Sequence, residues 1–399
     1  MKNNIALLLG FLLAPPALWA AEDIGLRQAL EHALGQAPEQ ALIEARGAEA
    51  RTSRAQADSL LATPPALILT SQGGRERETA ADYREWNVGI ELPLWRSGQS
   101  DAQARLASSI EHQASQDRDL LRLELAGRLR EAAWRVHRAA AAKDALGSAR
   151  DDTLRALARL KRLVELGERP KADPLILEAD LLDLEQHIES ARAEHHLAID
   201  AWRIESRQDQ PPGSTPETPG ERPLDQHPLL AQARLALERA TAERQVGVLA
   251  ARGQPTLGIQ VRHEQPPGAP HLDALTASLS LPLPWESHHQ SIEAALRYGE
   301  SEASVRLTQT RQALSLQRQE AAIHLEASRN LARLAAQRAG LAREEARLAA
   351  RRLDEGEMDI MDFATALRRA REAERDARLA TLDVSRAIAR HNQAQGMLP

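Results

Sequence analysis

The sequence contains 13 histidines and no cysteine, which makes histidine the candidate for metal chemistry. The residues whose placement invites that reading are the pairs His195-His196 and His288-His289, with His263 and His271 nearby in the chain to the second pair. Adjacent residues on a helix point about 100° apart, so neither pair closes on one ion. No histidine joins aspartate or glutamate at ligand spacing, and no metal site is expected. Catalysis is no better supplied. The sequence has no nucleophile elbow, phosphate loop or zinc-hydrolase helix, and no acid/base pair stands apart from ordinary charged helix faces. The reading is of a non-enzyme without a cofactor. The acids that do stand out follow two glycines: Glu168 and Asp173 after Gly167, and Glu357, Asp359 and Asp362 after Gly356. Asp173 and Asp362 fall where helices begin, and a carboxylate there satisfies free N–H groups.

The elements that position these groups occur twice. Gly167 and Gly356 are 189 residues apart, as are Glu168 and Glu357, Asp173 and Asp362, Pro93 and Pro282, and Arg162 and Arg351. Upstream the offset is 190, with Pro38 matching Pro228 and Pro65 matching Pro255. The spacing predicts an internal two-fold repeat: a first copy over 21–207, a linker over 208–226 and a second copy over 227–399. A chain 43% hydrophobic but 3% aromatic, 27% charged and rich in Ala, Leu, Arg and Glu has the profile of long helices. Its net charge of −6, mixed in sign, argues against nucleic acid as a partner. Residues 1–20, with Lys2 ahead of an apolar run from Ile5 to Leu13 and small residues at Ala20 and Ala21, predict a secretory signal peptide.

Each copy carries a hairpin in its middle, about 66–94 and 255–284. From Tyr83 to Leu92, Trp86, Val88, Ile90 and Leu92 alternate with Glu85, Asn87, Gly89 and Glu91. Leu257, Ile259 and Val261 alternate with polar residues, as do Leu275, Ala277, Leu279 and Leu281. One face of each strand wants an apolar medium and the other wants water. Two readings follow: a small sheet packed on the helices, or strands in a bilayer, for which their length of about eight to ten residues suffices when tilted. The second is favoured, because few bulky apolar residues are available to cover such a sheet. Trp86, Trp95 and Trp285 also stand where an interfacial girdle needs aromatics. Four strands cannot close in lipid, since an open edge leaves backbone groups unpaired. Three chains would supply twelve.

After each hairpin runs a proline-free helical pattern, roughly Gly98 to Leu166 and Gln290 to Glu355. At 1.5 Å per residue each is about 100 Å long. Leu125, Leu129, Ala132, Val136 and Ala139 form one coiled-coil seam, and Leu334, Leu341 and Leu348 recur at seven as another. The returning helices carry a heptad in both copies, Leu177 to Trp202 and Ala366 to His391, but are half as long. Half-length helices are therefore expected to stack end to end: the first returning helix on the one starting near Pro228, and the helix of about Ile24 to Leu61 on the last, which ends near Gln395.

This order of elements resembles the TolC-like outer membrane efflux proteins. The resemblance rests on Ile90-Glu91-Leu92-Pro93-Leu94-Trp95 before a long helix, echoed by Leu279-Ser280-Leu281-Pro282-Leu283-Pro284-Trp285, and on Gly167-Glu168 before Asp173-Pro174-Leu175, echoed by Gly356-Glu357 before Asp362-Phe363. It spans essentially all of the sequence after the signal peptide, and the shortness of the chain is more similar to the heavy-metal efflux (CzcC-like) branch. The resemblance implies a mainly α fold with long antiparallel coiled-coil helices forming an α-barrel, and four strands per chain in a shared twelve-stranded transmembrane β-barrel. It implies a homotrimer in the outer membrane of a Gram-negative bacterium, with a periplasmic extension. Such a duct contacts outer membrane lipid and receives substrate from an inner-membrane pump, such as an RND transporter, through a periplasmic adaptor. Under this resemblance Gly167, Glu168, Asp173, Gly356, Glu357, Asp359 and Asp362 mark the periplasmic tip and gate. Arg162 and Arg351, one turn earlier, would pair with the acids or contact the adaptor. The competing reading is a periplasmic coiled-coil adaptor or scaffold, which usually has one helical hairpin set into soluble β domains.

Overall fold

The structure is a computed structural model, and it describes residues 25–75, 82–213, 217–266, 270–283 and 286–399. The expected signal peptide and Trp285 lie outside the described residues. In chain order the elements are α1 (Leu26–Gly35), α2 (Gln40–Ala57), β1 (Ala66–Arg75), β2 (Asp82–Pro93), α3 (Gln99–Glu165), α4 (Asp173–Ser206), α5 (Pro228–Ala251), β3 (Thr256–Gln265), β4 (Leu272–Ser280), α6 (Glu286–Asp354) and α7 (Ile360–Ala394).

The uninterrupted patterns produce α3, with 67 residues, and α6, with 69. Each rises about 100 Å. Helix α3 packs on α2, α1 and α4 on one flank and on α5 and α7 on the other, while α6 packs on α5 and α7. The result is a layer of four helical columns. Its two outer columns are the one built from α2 and α4 and the one formed by α6. The strands continue this order: the sheet runs β1-β2-β3-β4, all antiparallel, so β1 and β4 are its edges within the chain. Among the described residues no helix is long and apolar enough to cross a membrane.

Two apolar clusters hold the columns together. One gathers α1, the middle of α3 and the end of α4 around Leu30, Leu125, Leu129 and Trp202. The other lies beside the reversals, where Leu157, Leu160 and Leu177 meet Leu353, Ile360 and Phe363. The seam predicted from Leu125 to Val136 is buried.

Three expectations are corrected. The helix expected over about 24–61 is two helices, because Pro38 lacks an N–H and the chain turns between Gly35 and Gln40. Leu334, Leu341 and Leu348 are exposed among the described residues, since α6 uses another face, with Leu325, Ala339, Ala349 and Leu353, for its contacts. The half-length helices also meet in the other pairing. Helix α1 meets the end of α4, where His32 Nδ1 lies 3.3 Å from the Ser206 carbonyl. The end of α7 meets the start of α5, with Gly396 seated against His227 and Pro228.

Candidate functional site

The sheet is the first surface with functional content. Register alone sorts its side chains, because residues two apart share a face. One face carries the rows Leu92-Leu257-Leu279, Leu67-Ile90-Ile259-Ala277 and Leu69-Val88-Val261-Leu275, followed by Ser71-Trp86-His263-Asp273. The other carries Ala66-Glu91-Gly258-Ser278, Ile68-Gly89-Gln260-Thr276, Thr70-Asn87-Arg262-Ala274 and Gln72-Glu85-Glu264-Leu272. Apart from Ile68 and Leu272 the second face is polar or small. In β2 and β3 the apolar positions are the exposed ones, and the polar positions are more covered. That alternation describes a sheet curled with its polar face concave. Gly89 sits on the crowded inside of the curl, where a Cβ would lie 2.7 Å from the Gln260 Cβ. Among the described residues no helix covers the apolar face, so the sheet is not packed on the helices.

Trp86 and Trp95 mark opposite ends of this band. Trp86 stands in the last four-stranded row of the apolar face, with four further β1–β2 pairs between it and the hairpin turn, and is exposed. Trp95 stands where the strand gives way to α3, and its Nε1 donates to the Ser59 carbonyl at 2.7 Å. Nine residues of strand separate them, about 30 Å along the chain, or roughly 23 Å for a strand tilted by about 40°.

The second surface is the tip. Both reversals use glycine at positive φ, 79° at Gly167 and 74° at Gly356, which non-glycine residues adopt only at a cost. Glu168, Glu357, Asp359 and Asp362 are exposed around these turns, and Asp173 is half-buried in the first turn of α4. Asp359 is the cap of α7 and accepts from the Met361 N–H at 2.7 Å. Neither Asp173 nor Asp362 is a cap residue; each lies in the first turn of its helix, and the α4 cap position is Ala172. Arg162 and Arg351 are exposed, and neither forms an ion pair with the tip acids among the described residues. The bridging residue is instead Arg169. Its Nη2 donates to the carbonyls of Leu353 at 2.8 Å and Met358 at 2.9 Å, which ties the first reversal to the second. Arg159–Asp354 and Lys161–Glu178 add ion pairs above it. Nothing in the 189-residue echo singles out Arg169, because its counterpart is Met358.

The third surface lies halfway along the columns, where residues 207–213 and 217–227 lie over α3 between the end of α4 and the start of α5. Trp202 Nε1 donates to the Gln210 carbonyl at 2.8 Å at one side of the crossing. At its centre Arg130, 3% exposed, donates to both carboxylate oxygens of Glu217 at 2.8 and 2.7 Å, and to Gln393 Oε1 and the Met397 carbonyl. Arg222 donates to the Gly396 carbonyl at 2.6 Å at the far side. Here His227 is buried as the cap of α5, its Nδ1 accepting from the Leu229 N–H at 3.2 Å. Burial, then Arg318 and Arg222, hold its pKa below the ordinary histidine value. The sequence offered no signal for Arg130, which looks like one more arginine on a charged helix.

The histidines considered for metal chemistry are dispersed. His195 and His196 lie side by side with ring centroids 6.3 Å apart. His263 Nδ1 lies 2.7 Å from Asp273 Oδ1, its row neighbour, and stacks on His271 at 5.4 Å. Among the described residues no cluster of three or more His, Asp or Glu has metal-binding geometry.

No protein-family model and no curated protein matches the chain. Solved structures do match. The chain is similar to the outer membrane protein VceC of Vibrio cholerae, with a TM-score of 0.73 and 16% identity over 93% of this chain and 96% of that one. It is similar to CusC, whose crystal structures concern folding and transmembrane channel formation, with a TM-score of 0.73 and 14% identity over 96% and 95%. It is also similar to the open state of the Neisseria gonorrhoeae MtrE outer membrane channel, with a TM-score of 0.69 and 16% identity over 93% and 89%. The chain has the TolC-like outer membrane channel fold.

Proposed function

We propose that the chain is one subunit of a trimeric duct in the outer membrane of a Gram-negative bacterium, continued into the periplasm by its helical columns. The duct passively conducts substrate delivered by a periplasmic adaptor and an inner-membrane pump of the RND type. The observation that carries this reading is the curled, uncovered sheet with its apolar face outward and its two edges open. An uncovered apolar face of this extent calls for lipid or a partner, and open edges in lipid call for further strands. Three copies give twelve strands, an even number within the range of membrane barrels.

The helical layer supports the same stoichiometry. The outer columns carry exposed apolar residues that pack little against the described residues, Leu175, Leu182, Leu197 and Ile204 on α4 and Leu316, Ile323, Leu334, Leu341 and Leu348 on α6. In a closed ring α4 of one subunit faces α6 of the next, which buries both. The two-fold repeat, over 21–207 and 227–399 with the linker at 208–226 between them, is part of this proposal, supported by the element order and the sequence offset. The tip acids then surround the periplasmic entrance threefold and attract cations. Arg162 and Arg351, exposed beside it, are assigned to the adaptor.

Fractionation tests the proposal. The protein is expected in the outer membrane as an oligomer that dissociates on heating before electrophoresis. Recovery of a soluble monomer from the periplasm refutes it in favour of an adaptor or scaffold.

A further inference from the structure

Between the tip and the crossing, α4 and α7 diverge over α3 and enclose a cavity of about 200 Å³. Its floor is Ala145 and Ala149 of α3, and its walls bring together Asp180 of α4 with Arg371 and Arg375 of α7. Arg368, Asp183 and Glu372 stand around the same space. Among the described residues three guanidinium donors are buried here without a hydrogen-bond partner, Nε and Nη2 of Arg371 and Nε of Arg375, and so is one acceptor, Asp180 Oδ2. The other Asp180 oxygen lies 3.6 Å from Arg368, and Arg375 Nη2 donates to Asp376 at 3.1 Å, so what remains open is directed by elimination. Burial lowers the Arg371 pKa to about 10, which leaves the group charged at neutral pH.

A buried guanidinium with two empty donors is unfavourable unless something occupies its fork. The Nε and Nη2 edge is the one that takes two oxygens of a carboxylate side-on. A bare anion meets no net attraction from the lining, since Arg368, Arg371 and Arg375 are balanced by Asp180, Asp183 and Glu372. The unpartnered Asp180 oxygen in the same lining calls for a donor as well. We propose that this cavity binds a small zwitterionic ammonium carboxylate of the amino-acid type, its carboxylate on Arg371 and its ammonium on Asp180. The ligand clamps α4 to α7, which otherwise touch only briefly. The site lies wholly in the helical body and stands apart from the duct reading.

Titration calorimetry on the detergent-solubilised full-length protein tests this with L-alanine, acetate and methylammonium as probes. Alanine is expected to bind saturably, one per chain, at least tenfold more tightly than acetate or methylammonium. R371M is expected to weaken alanine at least tenfold, and D180N to weaken alanine by a similar factor while leaving acetate unchanged or tighter. Should R371M fail to fold, D180N keeps the test, because a merely structural aspartate would not separate the two probes. Equal heats for alanine and acetate, or alanine binding unchanged in D180N, overturns the proposal. So does a direct Arg371–Asp180 ion pair that closes the cavity, seen as R371M lowering the melting temperature and R371M/D180N restoring it with no alanine binding in the wild type.

Discussion

Substituting Ile259 by arginine puts a charge in the middle of the proposed lipid face. Ile259 is 42% exposed in the chain and stands in the row Leu67-Ile90-Ile259-Ala277, where Ile90 is four residues from Trp86 and five from Trp95. An arginine near the midplane of a barrel's lipid face costs about 2–4 kcal/mol. At about 1.4 kcal/mol per decade that shifts insertion against the mutant by roughly 30- to 1,000-fold per chain. The next residue, Gln260, points to the concave face between Gly89 and Thr276, so Q260R places the same charge in the proposed aqueous lumen and should be nearly neutral. The assay is the yield of heat-modifiable oligomer in the outer membrane fraction, compared at equal expression. I259R should lose most of it and Q260R should keep it. Wild-type yield for I259R, or equal losses for both, refutes the assignment of faces and with it the inference that the apolar side meets lipid.

Neutralising Glu168, Glu357, Asp359 and Asp362 together, with asparagine at 359 to keep the cap, should reduce cation preference in planar bilayers; unchanged selectivity returns these acids to a structural role. E217Q leaves Arg130 buried and short of its counter-ion, which should cost about 3–5 kcal/mol and be seen as a lowered melting temperature, whereas a change within error would remove the crossing from the stabilising contacts. His227 gives a pH dependence. Its folded pKa is depressed, so below the ordinary value of 6.5 the unfolded chain binds the extra proton and the folded one resists it; stability is complete above that pH and falls as pH drops. H227N retains a cap acceptor without the titration and should flatten the melting-temperature profile between pH 8 and 5, and an unchanged slope would assign the acid sensitivity to other groups.

What the sequence alone determined is what local periodicity encodes. Alternation in Trp86-Val88-Ile90-Leu92 requires a strand with one apolar face, because the pleat has a period of two. The proline-free run before Gly167 requires a long helix, and the glycine itself requires the reversal, because a left-handed residue closes a helix end at little cost. None of this depends on what lies across the chain. The tertiary structure alone decided which surfaces meet. Leu334, Leu341 and Leu348 read as a seam, yet only the packing of α7 on the neighbouring face shows that they are left open. End-to-end stacking followed from helix lengths, but its pairing was decided by α4 and α5 lying on opposite flanks of α3, with α5 end to end with α7. Arg130 and Gln393 are 263 residues apart, and Arg371 and Asp180 line one cavity from different columns. A lone arginine on a helix with the usual charge pattern gives no sign of whether water, a carboxylate or an empty cavity will surround it. That environment is a property of three helices at once, and it exists only after they have packed.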